Sequence, residues 1–250
     1  MPAPDRPSSG RPPVALRETC RLATGQVPLW PYHRARLARG GCGDAALDAA
    51  EEAMRTAAEG WRGPASSRLR LTVVVEPSGA VRAVVQRRLS SLDVPGGPRA
   101  VPVEVADMPP LPAGAAKPAD RSWWDEAQRR ARAAGGEQAL IVRDGLVLDG
   151  GTSSVWAVVD GVAVTPPAPA AVAGVARAFL LEALANAGIQ TRVEPLPLET
   201  AQSASELFCT NAFAGAVTLR GHGPGPVTQA AAAAFEAVWA PPAHHTGALQ

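Results

Sequence analysis

Lysine is almost missing from this chain. Of the 24 basic residues among 250, 23 are arginine and one, Lys117, is lysine. A bias toward arginine accounts for this wherever only a positive charge is needed, and a single surface lysine is then the bland reading. The bias also isolates the one side chain able to act as an amine. Arginine stays protonated at any accessible pH, whereas lysine becomes a nucleophile or proton carrier once its pKa falls. Cysteine is scarce as well: Cys20, Cys42 and Cys209 are odd in number, and their spacing fits neither a zinc site nor a disulfide framework. His244 and His245 have no third ligand near them in sequence, so no metal is expected. Excess charge of one sign is absent, the formal balance being +1. That excludes a strong long-range pull toward nucleic acid or an anionic membrane, and the arginines of residues 82–88 and 129–132 read as solvated faces. Long apolar runs are lacking too. The most apolar window, residues 168–187, carries Arg177 and Glu182, so no membrane span is expected. Residues 1–13 are proline-rich with no apolar core for a signal peptide, and read as a disordered leader of a cytoplasmic protein.

What is present is 46% apolar residues, enough for two modest cores. Strands are predicted over residues 14–22, 27–30, 69–75, 80–86 and 100–105, with helices over 31–40 and 45–61. Residues 107–118 hold four prolines and read as a linker. Beyond it come a helix over 121–134 and two hairpins, 139–142 with 146–148 and 155–159 with 162–165. Asp144-Gly145 and Asp160-Gly161 supply the turns. A helix over 170–187 closed by Gly188, strands over 191–193, 207–210 and 216–219, a helix over 227–239 and a tail follow. The pattern predicts an α/β (α+β) chain of two domains with mixed sheets and a cleft between them. The bounds are 1–13 leader, 14–106 N-terminal domain, 107–118 linker, 119–240 C-terminal domain and 241–250 tail.

Lys117 falls at the end of the linker, where a side chain can face such a cleft. Asp149 precedes a run of small and hydroxyl residues that includes Ser153 and Ser154; by itself this is an ordinary loop. A helix is predicted to begin through Val172, Gly174, Val175 and Ala176, and glycine in a first turn lets a phosphate approach backbone N–H groups. Thr210 and Asn211 end a strand and offer further donors. His33 and Arg36 lie on a helix that reads as a solvated face, although the planar fork of Arg36 also suits phosphate.

Taken in order, several segments resemble the class IV aminotransferase family. They are Glu18-Thr19-Cys20-Arg21 with Gly25, His33 to Leu37, Lys117, Gly145 to Asp149, Thr165-Pro166-Pro167, Gly174 to Arg177, and Leu207 to Ala212. The ordered set, spanning roughly residues 14–220, is more specific than any member. The resemblance implies pyridoxal 5'-phosphate as cofactor, with Lys117 as the Schiff-base lysine that also moves the substrate's Cα proton. It implies Arg36, Ser153, Gly174, Val175, Ala176, Thr210 and Asn211 around the phosphate, Val172 on the pyridine ring, and Asp149 opposite the ring nitrogen. Where the family usually has glutamate, asparagine and threonine, this chain has Asp149, Ser154 and Ala176.

The resemblance implies an enzyme acting on a small amino-bearing carboxylic acid. The first expectation is a 4-amino-4-deoxychorismate lyase-like elimination of pyruvate giving p-aminobenzoate. The alternatives are a branched-chain or D-amino-acid transaminase, and a non-catalytic homologue that has lost the cofactor. A homodimer is expected by resemblance only.

Overall fold

The computed structural model describes residues 12–23, 25–62 and 68–240. Most of the leader, Thr24 and the tail with its two histidines lie outside the described residues. Strand β1 (Leu16–Leu22) pairs antiparallel with β2 (Leu69–Val75), which pairs with β3 (Val81–Arg87). Both β1 and β2 alternate buried and half-buried residues, the period-2 signature of a sheet with one covered face. The covered face packs Leu16, Cys20, Leu71 and Val73 against α1 (Trp30–Arg39) and α2 (Asp44–Glu59). In α2 the buried residues Ala46, Leu47, Ala50 and Met54 recur at helical spacing. The uncovered face carries Arg17, Thr19 and Arg21, with Arg70 directly opposite Arg21. Residues 27–30 are not the predicted strand. An isolated bridge joins Ala23 to Gln26, and the chain then turns directly into α1, with proline in its first turn.

β4 (Ala100–Glu104) leads into the proline-rich stretch, which contains a 3-10 turn at Ala113–Ala115 and then runs beside β1. Arg17 N–H donates to the Lys117 carbonyl at 2.9 Å, and Ala119 N–H donates to Ala15 at 2.8 Å. The end of the linker is therefore bonded alongside the start of β1 through the Lys117 carbonyl and, just past it, the Ala119 amide. Helix α3 (Ser122–Ala133), β5 (Gln138–Arg143), β6 (Leu146–Gly150), β7 (Ser154–Val159) and β8 (Val162–Thr165) follow. Both Asp–Gly turns have positive φ at each central residue, as tight hairpins of this hand require.

Helix α4 (Val175–Asn186) starts five residues later than expected. Residues 170–174 are not helical, because their amides are used elsewhere: Val172 N–H bonds the Asp149 carboxylate and Ala173 N–H bonds the Ala115 carbonyl. After β9 (Thr191–Val193) come two elements absent from the sequence expectation, β10 (Leu196–Pro197) and α5 (Leu198–Ser203). The chain ends through β11 (Glu206–Asn211), β12 (Gly215–Thr218) and α6 (Pro226–Trp239). Besides the first sheet there are two more, ordered β10-β6-β5-β4 and β12-β11-β7-β8-β9, each mixing parallel and antiparallel pairs. Trp156 and Phe208 stack at 5.9 Å in the core beneath α4 and α6, each worth about 1.5–3 kcal/mol when fully buried. Among the described residues no helix is long and apolar enough to cross a membrane.

Candidate active site

A cavity of about 550 Å³ opens between the uncovered face of the first sheet and the ends of the other two. Lys117 lines it, its backbone fixed along β1 and its Nζ 3.4 Å from the hydroxyl of Thr19. Burial, aided by the nearby Arg121 and Arg36 guanidinium groups, holds the Lys117 amine well below the usual lysine range. Both effects disfavour the ammonium form, so the amine is available as a nucleophile.

Arg36 is not on a solvated face. It is buried, lines the cavity and is gripped by Glu18, its Nε donating to Oε1 at 2.9 Å and its Nη2 to Oε2. His33 Nδ1 shares Oε2 at 2.5 Å. Burial alone would raise the Glu18 carboxyl, but Arg36 and His33 outweigh it and hold the group at about 2. His33 moves down, chiefly by burial, against the pull of Glu18; a neutral ring then donates from Nδ1. Arg36 also donates through Nη1 to the Ala173 carbonyl at 3.0 Å, tying α1 to the segment before α4. Glu18 was legible only as part of a motif. Its partners stand 15 and 18 residues away, beyond any local pattern.

The first turn of α4 has no side-chain cap. Its N-cap is Gly174, and a Cβ there would fall 2.4 Å from Ser154 Oγ, so glycine is what lets the strand and helix start approach. Gly174, Val175 and Ala176 all line the cavity, and uncapped amides at a helix N-terminus favour an anion. Ser153 is buried beside the Cys209 thiol, and its hydroxyl has no nitrogen or oxygen partner among the described residues. Thr210 accepts from Trp156 Nε1 at 3.1 Å and keeps its own proton to donate. The Asn211 carboxamide is already engaged, its oxygen accepting from the Phe213 and Ala214 amides and its nitrogen donating to the Thr152 carbonyl.

Asp149 is buried on β6. Its Oδ1 accepts from Gly150 N–H at 3.0 Å and its Oδ2 from Val172 N–H at 3.3 Å. Burial pushes it up to about 7 despite Arg177 and these donors. A buried carboxylate this poorly compensated suits a cationic N–H placed against it. Val172 lines the cavity beside it. The structure thus brings Lys117, Arg36, Asp149, Ser153, Val172, Gly174, Val175, Ala176, Thr210 and Asn211 to one cavity, while Glu18 and His33 lie behind Arg36. It adds Thr19, Arg17, Arg70, Arg121 and Arg88, the last of which is also exposed, as its stretch was expected to be. Arg121 stacks over Trp124 and donates to the Gly151 carbonyl at 2.7 Å. The alternation of Arg17, Thr19 and Arg21 along β1 was the available signal for the face they share.

The family model for amino-transferase class IV matches residues 15–220. None of the curated proteins matches the chain closely enough to count as a relative. Similar solved structures include the pyridoxal-phosphate-bound form of a hypothetical aminotransferase from Mycobacterium tuberculosis, 19% identical, TM-score 0.75, covering 95% of this chain and 93% of that one. A fold IV transaminase from Curtobacterium pusillum is 21% identical, TM-score 0.72, covering 93% and 87%. A 4-amino-4-deoxychorismate lyase candidate from Legionella pneumophila is 17% identical, TM-score 0.66, covering 82% and 81%. At these identities the likeness speaks for the mixed α/β fold, and the family match covers most of the chain. The chain belongs to the class IV aminotransferase family, whose members are pyridoxal-phosphate-dependent enzymes.

Proposed function

We propose that this cavity binds pyridoxal 5'-phosphate and that the protein acts on a small amino-bearing carboxylic acid, in the manner of a 4-amino-4-deoxychorismate lyase. The observation that carries the reading is the meeting, in one cavity, of a lysine amine with a lowered pKa, a buried aspartate held near 7 and an uncapped helix start. These three features fit the cofactor's aldehyde, ring nitrogen and phosphate. When bound, the cofactor supplies an electron sink for the bond broken at the substrate's Cα.

The chain's own residues do the rest. The α4 amides of Val175 and Ala176, with Arg36, bind the phosphate; the hydroxyls of Ser153 and Thr210 add donors, and Asn211 shapes the adjoining loop. Glu18 and His33 hold the Arg36 fork in place. Asp149 would keep a proton on the ring nitrogen, and Val172, lining the cavity beside it, would pack against the ring. Lys117 would hold the cofactor through its amine and, when free, would take the proton from the substrate's Cα. Thr19 orients the free amine through its hydroxyl. Residues 107–118 divide the chain into its two domains, and the assembly is a cytoplasmic homodimer.

Purified protein given pyridoxal phosphate should turn yellow, and Lys117→Ala should lose the visible band. A colourless wild-type protein refutes the reading. Release of pyruvate and p-aminobenzoate from aminodeoxychorismate without a keto-acid acceptor supports the lyase; strict dependence on an acceptor makes it a transaminase.

A further inference from the structure

The two ends of the proposed site lie on either side of one sharp corner in the chain. Asp149 stands near the end of β6, Ser153 precedes β7 and Ser154 opens it, and the two strands belong to different sheets. Only Gly150, Gly151 and Thr152 separate Asp149 from Ser153. The Gly150 amide serves both sides at once. Its N–H is shared between the Asp149 carboxylate at 3.0 Å and the Ser153 carbonyl at 2.8 Å. A shift of that amide moves one end relative to the other.

The corner is held from outside the cavity lining. Gln138, fully buried on β5, accepts from the Thr152 hydroxyl through Oε1 at 3.2 Å and donates from Nε2 to the Ala139 carbonyl at 3.1 Å. The same Ala139 carbonyl takes the Gly151 N–H at 3.1 Å. From the other side the Asn211 carboxamide donates to the Thr152 carbonyl at 3.3 Å. The run Gln138, Thr152, Asn211 thus joins the four-stranded sheet to the five-stranded one across the corner. The packing is close: a Cβ on Gly150 would fall 2.6 Å from Gln138 Nε2. The core itself does not call for a carboxamide here. Ala139, Leu140, Ile141 and Val142, which follow on β5, are buried and apolar. An apolar side chain would fill the place without the cost of burying polar atoms. What a satisfied buried network adds is a single fixed arrangement.

We propose that Gln138 is a positioning residue: through Thr152 it fixes the corner, and with it the spacing between Asp149 and the phosphate wall at Ser153 and Ser154. The proposal rests on the pyridoxal-phosphate reading and deepens it by naming what sets the length of the site. A ligand that reaches both ends gains from their being held at one separation, because its second contact forms at high effective concentration. A ligand that touches one end gains nothing from it. The spacing therefore favours a phosphorylated pyridine over either of its halves.

The test is calorimetric titration of the full chain, freed of cofactor, with pyridoxine 5'-phosphate, pyridoxine and inorganic phosphate. Pyridoxine phosphate has no aldehyde, so it binds without a bond to Lys117. In Gln138→Leu its affinity should fall roughly tenfold or more, while pyridoxine and inorganic phosphate each stay within about threefold of wild type. Thr152→Val removes the same hydrogen bond from its half-buried partner and should show the same split. The double variant should be no worse than the single ones, since one bond is lost in each case. Should Gln138→Leu not fold, Thr152→Val carries the comparison. Ser205→Ala, which removes a bond to the Val158 carbonyl near the far end of β7, should cost stability without any split. Equal losses for all three ligands overturn the proposal, because Gln138 is then a general support. Undiminished binding of pyridoxine phosphate overturns it too, as do additive losses in the double variant. The visible band of wild type given pyridoxal phosphate is read in parallel. Without that band the cofactor reading fails and takes this proposal with it; a band with no split sinks the proposal alone.

Discussion

Replacing Asp149 by asparagine should change stability by an amount that grows with pH. In the cofactor-free protein burial lifts this carboxyl from an ordinary 3.8 to about 7. Between those values the unfolded chain has released the proton and the folded chain still holds it. The folded state binds more protons, so stability is fully present below 3.8 and is lost as pH rises through 7. Each pH unit in that window costs about 1.4 kcal/mol, giving a loss of about 2.5 kcal/mol between pH 5 and pH 8 once titration at either end is allowed for. Asparagine does not titrate. Its NH2 faces one of the two donors, Gly150 or Val172 N–H, at a cost of about 1–3 kcal/mol that does not change with pH. The pH-dependent part is therefore isolated by difference. Urea or thermal unfolding of both proteins at pH 5 and pH 8 should show the variant gaining about 2.5 kcal/mol on the wild type, roughly 5–10 °C in Tm for a chain of this size. With pyridoxal phosphate bound the sign should reverse at pH 8, since a cationic ring nitrogen stabilises the carboxylate. A stability gap that is the same at both pH values would refute the assigned burial cost of Asp149.

Glu18→Gln should destabilise the protein by about 3–5 kcal/mol, because Arg36 is left buried without its counter-charge, and should weaken pyridoxal-phosphate affinity in an absorbance titration. The Glu18 carboxyl is held at about 2, so its contribution is present above 4.5 and is lost as pH falls from 4.5 toward 2. The variant's acid-unfolding limb should be correspondingly flatter. Gly174→Ala should weaken cofactor binding through the clash with Ser154 Oγ, and Ser154→Ala in the same chain should restore much of it, since the remaining contact with Ser154 Cβ is an ordinary 3.6 Å. Absence of any rescue would mean that the close approach is not what selects glycine.

The parts of the fold that were legible in the sequence were those specified locally. The two Asp–Gly turns, the alternating strands β2 and β3 and the amphipathic α2 each carry their signal within a few residues. The start of α4 was misread because residues 170–174 have helical composition while Asp149 and Ala115 take their amides. β10 and α5 have only two and six residues, too short to carry a periodic signal, and β10 includes Pro197, which an edge strand tolerates. At the site, Lys117 stood out by its rarity. The partners of Arg36 and the shared wall of Arg17, Arg70 and Arg88 emerge only from strand register and long-range packing.

The hydrogen bonds that flank Lys117 set what can move during turnover. Arg17 N–H holds its carbonyl, Ala119 N–H bonds Ala15 just beyond it, and Ala173 N–H holds the Ala115 carbonyl before it, so its Cα is a fixed pivot and its four-carbon stem the only swinging part. On the proposed function the amine would swing between the cofactor and the substrate's Cα while the walls of the chamber stay where they are. Its arc is short, and groups beyond the stem's reach are closed to it however the substrate lies.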